Sequence, residues 1–384
     1  MLQKAFAVTL DPATSLRNHT GSWRTLRPVN VFKLPPCNNQ CPAGENIQQW
    51  LFYAAEGDYE HAWRILTEEN PLPACMGRVC YHTCEGKCNR GFLDESVGIN
   101  SVERFLGDYA IEHNLSFKRP ARETGKKVLI IGAGPAGLSA AYQLRRFGHT
   151  VHIVEMGKEP GGMMRYGIPV YRLPRNVLDA EIKRITDMGV TIECGRKVED
   201  IEAEKKNGKY DAVILGLGAS ISTNVDIPQG DTNHVINALN VLGQIETNGD
   251  IEIARKVAVY GGGNTAVDVA RSLRRIGAEP IIVYRRNRDK MPANAEEMDA
   301  AIAEGIQVKW LSTIASASKD SLKIEKMELD ENGKPQPTGQ YEELPADAVV
   351  LAIGQNVDKS VLTKLSDLKM DKDNVIIDEE TKMT

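Results

Sequence analysis

The chain has 384 residues, 42% of them hydrophobic and 26% charged, which is enough apolar sequence for two or three domains with real cores. Its 47 Lys and Arg stand against 52 Asp and Glu for a formal charge of −5, so there is no global basic field for nucleic acid. Only Lys4 is cationic near the start, no apolar leader core follows it, and no run is apolar and long enough to span a bilayer. A cytoplasmic protein with reduced thiols is expected.

Residues 1–120 carry no nucleotide fingerprint, and their apolar spacing predicts helices over 47–56 and 59–69, with Asp58 as N-cap of the second. Pro71 and Pro73 end the pair, and a third helix is expected over 101–113 with Val102, Phe105, Leu106 and Tyr109 on one face. Six of the seven cysteines fall in this region, as Cys37-x3-Cys41, Cys75 and Cys80-x3-Cys84-x3-Cys88, while Cys194 stands apart. In a reducing compartment such clustering points to metal ligation, and this spacing lets one iron–sulfur cluster collect several thiolates. Structural zinc favours balanced sets of C-x2–4-C pairs, and His82 is the only histidine among these cysteines, so iron–sulfur is preferred to zinc or to plain buried thiols. A polar, basic stretch over 118–126 links to the next region.

The strand expected over 128–131 runs into Gly132-Ala133-Gly134-Pro135-Ala136-Gly137, followed by a helix over 138–147 and a second strand over 151–154 that ends in Glu155. This is a βαβ nucleotide fingerprint. Gly132 allows the tight turn, Gly134 lets backbone approach a pyrophosphate, Gly137 lets helix and strand pack closely, and the helix N-terminus presents free N–H groups to phosphate. Glu155 is placed to accept hydrogen bonds from ribose hydroxyls.

The pattern repeats further along. A strand over 257–260 leads into Gly261-Gly262-Gly263-Asn264-Thr265-Ala266, a helix over 266–276 and a strand over 281–283 that ends in Tyr284-Arg285-Arg286. Guanidinium groups at that strand end bind a 2′-phosphate where a carboxylate repels one, so this turn is expected to prefer NADPH over NADH, with Arg288 assisting. A further strand over 347–353 precedes a tail, 375–378, that begins a return to the first nucleotide fold. The expected architecture is α/β: a helical iron–sulfur domain over 1–120, then two nested Rossmann-like folds. The first part of the first nucleotide-binding domain takes 126–250, the NADPH-binding domain 251–345, and an incomplete return to the first domain 346–384.

The strings Cys41-Pro42-Ala43-Gly44, Asn70-Pro71-Leu72-Pro73, Gly77-Arg78-Val79-Cys80 and Cys84-Glu85-Gly86-x-Cys88 resemble the N-terminal domain of the glutamate synthase small-subunit family of NAD(P)H-dependent iron–sulfur flavoproteins. That family includes the large subunit of NADH-dependent ferredoxin:NADP oxidoreductase, the head of dihydropyrimidine dehydrogenase and the flavoprotein that accompanies dissimilatory sulfite reductase. The resemblance covers nearly the whole chain, including Gly161-Gly162-Met163, Tyr166-Gly167-Ile168-Pro169 and Met291-Pro292-Ala293. It implies FAD on the first fingerprint, with Gly162 and Met163 in the flavin-facing loop, and NADPH on the second.

It also implies a [4Fe-4S] cluster on Cys41, Cys80 and Cys84 with Glu103 as a non-cysteine ligand. Cys37 and Cys88 match two ligands of a second cluster, whose other thiols lie upstream in the family, where residues 27–33 hold none. One cluster is expected, and a four-cysteine set drawn from Cys37, Cys41, Cys80, Cys84 and Cys88 stays open as the competing scheme. Family members continue beyond the position of Thr384, so a longer parent flavoprotein is expected. The function implied is passage of electrons between NADPH, FAD and the cluster and a partner protein, such as the glutamate synthase large subunit, ferredoxin or another redox enzyme. The direction is open. Rivals are a sulfite-reductase-associated oxidoreductase and a non-catalytic wiring or scaffold subunit; a disulfide reductase is excluded, because the sequence holds no C-x-x-C pair.

Overall fold

The computed structural model describes residues 34–384 apart from 224, 226, 229–233, 250, 366–367, 372–373, 380 and 382, so the thiol-free stretch 27–33 lies outside the described residues. Helices come first: α1 Pro36–Gln40, α2 Ile47–Ala55, α3 Tyr59–Leu66, α4 Pro73–Val79 and α5 Ile99–Glu112. Asp58 caps α3 by accepting the His61 N–H at 3.2 Å, and Pro73 occupies the first turn of α4, where its missing N–H costs nothing. Trp50, Ile47, Leu66 and Leu106 fill the space between these helices. Where α4 crosses α5, a Cβ on Gly77 would fall 2.4 Å from the Arg104 Cα, and one on Gly107 would fall 2.3 Å from the Ala74 nitrogen. Only glycine permits that approach. Arg78 fixes the crossing by donating to both oxygens of Asp108, at 2.8 and 2.9 Å.

The first sheet follows: β1 Lys127–Ile131, α6 Pro135–Arg146, β2 Thr150–Val154, α7 Met163–Tyr166, α8 Arg175–Thr186, β3 Thr191–Glu193, α9 Ile201–Gly208 and β4 Ala212–Leu215. Its strands are parallel, in the order β3-β2-β1-β4. The helical region shares its core, since Trp63, Leu72, Ala74 and Phe117 pack with Ile130, Leu138 and Ile185. Glu181, fully buried on α8, accepts the N–H groups of Ala74 and Cys75 at 2.9 Å each and so ties α4 to this unit.

The second unit contains β5 Ile221–Ser222, β6 His234–Asn237, α10 Ala238–Asn248, β7 Lys256–Tyr260, α11 Asn264–Arg275, β8 Glu279–Val283, α12 Ala295–Ala303 and β9 Gln307–Lys309. It continues with β10 Ser312–Ala317, β11 Ser321–Leu329, β12 Pro335–Pro345, β13 Ala348–Leu351 and β14 Gln355–Asn356. Its parallel sheet runs β6-β13-β7-β8-β9, beside the antiparallel β10-β11-β12, and β14 pairs with β5. Sheet membership therefore differs from the expected boundaries, because β13 pairs with β7 and β6 with β13 although both lie outside 251–345. Burial is consistent with this: the four residues of β13 are all buried, as in a parallel strand covered on both faces inside a sheet. The return to the first unit comes later, with Val361 and Leu362 packing against Leu129, Ile131 and Val154.

Candidate functional site: two adjoining cavities and a second glycine turn

The helical region encloses a cavity of about 320 Å³ lined by Cys41, Cys80, Cys84, Glu103, Glu45 and Asn70. Cys41 and Cys80 are the C-caps of α1 and α4, and Cys84 opens the short turn after them. The α4–α5 crossing carries Glu103 to the same wall, where it is buried rather than solvated. Asn70 donates through Nδ2 to Glu45 at 2.9 Å and to Glu103 at 2.8 Å, holding two carboxyl groups in place, while its Oδ1 accepts the Leu72 N–H. Burial and the neighbouring Cys41 and Cys80 push the Cys84 thiol up to about 12, and burial with the nearby Glu103 and Cys41 raises Cys80 as well. Burial and the Glu45 charge likewise raise Glu103.

Anions gathered in this way repel one another unless a positive centre sits among them. Among the described residues no three such side chains converge as a single metal ion requires. A cavity that separates three thiols and a carboxylate instead fits an iron–sulfur cluster. Cys37 packs beside this apolar wall without lining the cavity, and Cys88 lies outside it, its thiol lowered chiefly by the Val97 N–H. Cys75 is buried against Glu181, and Cys194 is half-buried near Glu155 and Glu159.

A second cavity, of about 580 Å³, is lined by Gly132, Gly134, Pro135, Ala136, Glu155, Gly162 and Met163 together with the loop 215–220. Gly132 has φ +105°, and a Cβ there would lie 2.3 Å from the Gly216 carbonyl oxygen. On Gly137 it would lie 1.9 Å from the Gly132 carbonyl oxygen, so this residue serves packing and does not line the cavity. A Cβ on Gly134 meets only the Gly162 Cα, at 3.8 Å, and so opens onto free space: a cradle that a larger side chain would fill. That arrangement fits a dinucleotide pyrophosphate at the α6 N-terminus.

Glu155 is more constrained than its position in the sequence suggests. It accepts the Ala133 N–H at 2.6 Å on one oxygen and the Gly157 N–H at 2.7 Å on the other, so any ribose contact uses the remaining lone pairs. Sequence reasoning missed Gly216 and Gly218, whose pairing just after β4 was available as a signal. It also missed Lys197, which joins Asp358 at 2.8 Å across the cavity rim and carries no local signature. Pro135 lines both cavities, and Ser139, one turn along α6, lines the thiol cavity.

The second glycine turn repeats the first at its start. Gly261 has φ +150°, and a Cβ on it would lie 2.2 Å from the Ala352 carbonyl oxygen. A Cβ on Gly263 would meet nothing within 4 Å, which leaves the α11 N-terminus open. Asn264 Oδ1 accepts the Asn294 N–H at 2.8 Å, Thr265 Oγ1 accepts from Gln355 at 3.2 Å, and Ala266 is buried. At the end of β8, Arg285 is exposed and Arg286 is half-buried with its Nε shielded from solvent and without a hydrogen-bond partner. An unpaired buried donor suits an anion such as a 2′-phosphate. Arg288 is instead paired with Asp299.

Residues 126–384 match the family described as pyridine nucleotide-disulphide oxidoreductase, and residues 25–115 match dihydropyrimidine dehydrogenase domain II, 4Fe-4S cluster. The chain is 37% identical to the NADP(+)-dependent formate dehydrogenase subunit beta of Moorella thermoacetica, over 86% of this chain and 52% of that protein. It is 31% identical to the glutamate synthase [NADPH] small chain of Azospirillum brasilense, over 91% of this chain and 79% of that one. The chain thus spans about half the length of the first of these relatives. The structure of Mycobacterium tuberculosis FprA in complex with NADPH shares the fold, with a TM-score of 0.53 at 19% identity over 67% of this chain and 75% of that chain. No helix among the described residues is long and apolar enough to cross a membrane. With an iron–sulfur domain ahead of two glycine-turn sheets, the chain belongs to the family of NAD(P)H-dependent iron–sulfur flavoprotein oxidoreductases.

Proposed function

We propose that this chain passes electrons between NADPH on the second glycine turn, FAD on the first and one [4Fe-4S] cluster in the thiol cavity, and exchanges them with a partner redox protein in the cytoplasm. When bound, the flavin supplies two-electron exchange with nicotinamide and the cluster supplies one-electron passage. The chain's own residues bind, orient and insulate. Gly132, Gly134, Pro135 and Ala136, with Gly162 and Met163, form the pyrophosphate wall, and Gly137 seats α6 behind them. Glu155 braces the turn through Ala133. Gly261, Gly263, Asn264, Thr265 and Ala266 form the corresponding turn for the nicotinamide dinucleotide, and Arg285 and Arg286 take its 2′-phosphate.

Cys41, Cys80, Cys84 and Glu103 hold the cluster, with Asn70 orienting Glu103. Cys37 and Cys88 are left out of this set because neither lines the cavity. The observation that carries the reading is the shared wall: Pro135 borders both cavities, so a group in each would be separated by little more than one side chain. The partner is a large redox subunit of the kind that relatives named as subunits imply, and the direction of flow is set by that partner.

Iron and sulfide analysis of anaerobically purified protein tests the assignment. It should give about four of each per chain, as one cubane requires. Cys80→Ser and Cys84→Ser should lose the cluster, whereas Cys37→Ser and Cys88→Ser should keep it. Loss of the cluster in Cys37→Ser, or stoichiometric zinc, would refute the ligand set.

A further inference from the structure

Between α7 and α8 the chain forms a strap, residues 167–174, that lines neither cavity and yet holds a buried charge cluster. Arg172 Nη1 donates to both carboxylate oxygens of Asp268 on α11, at 3.0 and 2.8 Å, and its Nε lies 3.1 Å from Glu297 on α12. The side chains of Arg172 and Asp268 are only 8% and 7% exposed. The Tyr81 phenol, adjacent to Cys80, faces the same guanidinium. Next to Arg172, the Tyr171 ring lies 4.9 Å from the Arg271 guanidinium and 3.8 Å from that of Arg275, both on α11. Arg271 pairs in turn with Glu297 and Glu304, and Arg275 with Glu304. At the start of α8, Arg175 bonds Glu246 of α10 at 2.6 Å and the carbonyls of Leu173, Ile168, Met164 and Arg165. The strap and the first residue of α8 together thus grip three helices of the second unit and the segment that carries Cys80.

Burying a guanidinium and a carboxylate incurs a desolvation penalty that their attraction offsets only in good geometry, and apolar side chains of equal volume would hold the units together as well. What the ion pair adds is direction: a planar fork with two carboxylates and a phenol around it admits one orientation. We propose that Arg172 is a positioning residue, which sets the second dinucleotide unit and the Cys80 segment at a fixed orientation against the flavin unit so that nicotinamide and flavin can meet. The proposal rests on the NADPH-to-FAD reading above. Arg172 reaches neither glycine turn, so its loss affects alignment and leaves nucleotide and flavin affinity intact.

The test uses the full chain loaded with flavin and cluster, as wild type, Arg172→Met and Arg172→Lys. Three quantities are measured: NADP+ affinity by calorimetry, the rate of flavin bleaching on anaerobic mixing with saturating NADPH, and hydrogen–deuterium exchange of the strap, α11 and α12. Misalignment by an ångström slows a bound-state reaction strongly, so Arg172→Met should bleach at least about tenfold more slowly, with NADP+ affinity within about twofold of wild type. Exchange should rise in the strap, α11 and α12 together, and Arg172→Lys, which keeps the charge without the planar fork, should recover only part of the rate. An unchanged bleaching rate, or a loss of NADP+ affinity as large as the loss of rate, would overturn the proposal. If Arg172→Met does not fold, Arg172→Lys carries the test, with a smaller loss of rate at unchanged affinity expected and no loss of rate contradicting it. If wild type neither binds NADP+ nor bleaches, the nucleotide reading fails by itself, and the exchange comparison alone decides whether Arg172 clamps the units.

Discussion

The two glycine turns share a backbone and differ in what surrounds it. In each, the first glycine stands against a carbonyl just beyond the neighbouring strand, Gly216 for Gly132 and Ala352 for Gly261, with a methyl excluded at 2.3 and 2.2 Å. In each, its N–H bonds the last residue of the adjacent strand, Val154 at 2.8 Å and Val283 at 3.1 Å. Beyond that they diverge. The first turn has Gly137 pressed against the Gly132 carbonyl and a carboxylate, Glu155, tied down by two backbone donors. The second has Ala266 at the matching place, and at its strand end a guanidinium with an unpaired nitrogen. Under the proposed function each turn seats a phosphate, and the residue after the second strand decides which dinucleotide it takes.

The largest effect should come from forcing the first turn to resemble the second. Gly137→Ala sets a methyl 1.9 Å from a backbone oxygen that cannot yield, so a loss of about 2–4 kcal/mol and of bound flavin is expected in thermal unfolding and flavin content. The reverse change, Ala266→Gly, should cost only about 1 kcal/mol. Similar losses for both would mean that the two turns are not packed differently.

At the strand end the expected effect is smaller and selective. Arg286→Ala should remove a charge-assisted hydrogen bond worth about 1.5–3 kcal/mol, raising the KM for NADPH roughly ten- to hundredfold and leaving that for NADH unchanged. Equal losses with both nucleotides would remove Arg286 from the 2′-phosphate.

The smallest effect concerns the contact that joins the helical region to the first unit. Burial pushes the Glu181 carboxyl from the usual 4.5 up to about 7, against the pull of the Ala74 and Cys75 N–H groups. The unfolded chain therefore ionises first, so the contribution of this group to stability is complete below about pH 4.5 and is lost as pH rises through about 7. Melting temperature measured over that window should fall less steeply in Glu181→Gln than in wild type. An identical slope would show that Glu181 does not titrate there.

Local features were legible from the sequence: the Asp58 cap, both βαβ fingerprints and the grouping of cysteines all depend on residues a few positions apart, whereas Pro71 and Pro73 read in sequence only as the end of the helical pair although Pro73 starts α4. The gathering of Cys41, Cys80 and Cys84 near Glu103 came from family resemblance, and the geometry that brings them together, the Gly77 and Gly107 crossing, has no local signature. Non-local pairings stayed hidden. That β13 lies between β6 and β7 follows from burial on both faces, which the run Ala-Val-Val-Leu permits but does not specify. Asn70 bridging Glu45 and Glu103, and Arg172 reaching Asp268 across 96 positions, are contacts that only the assembled fold creates.

In the proposed scheme electrons from NADPH reach the cluster only by way of the first turn. The direct test is low-temperature EPR of anaerobic protein frozen after mixing with NADPH, in wild type, Gly134→Val and Gly263→Val. Both valines have room in the fold, since a Cβ meets only the Gly162 Cα at 3.8 Å in one case and nothing within 4 Å in the other. A reduced-cluster signal is expected in wild type alone, although dithionite should reduce the cluster in all three proteins and Gly134→Val should still bind NADP+. A cluster that NADPH reduces equally well in flavin-free Gly134→Val, or not at all in wild type, would contradict it.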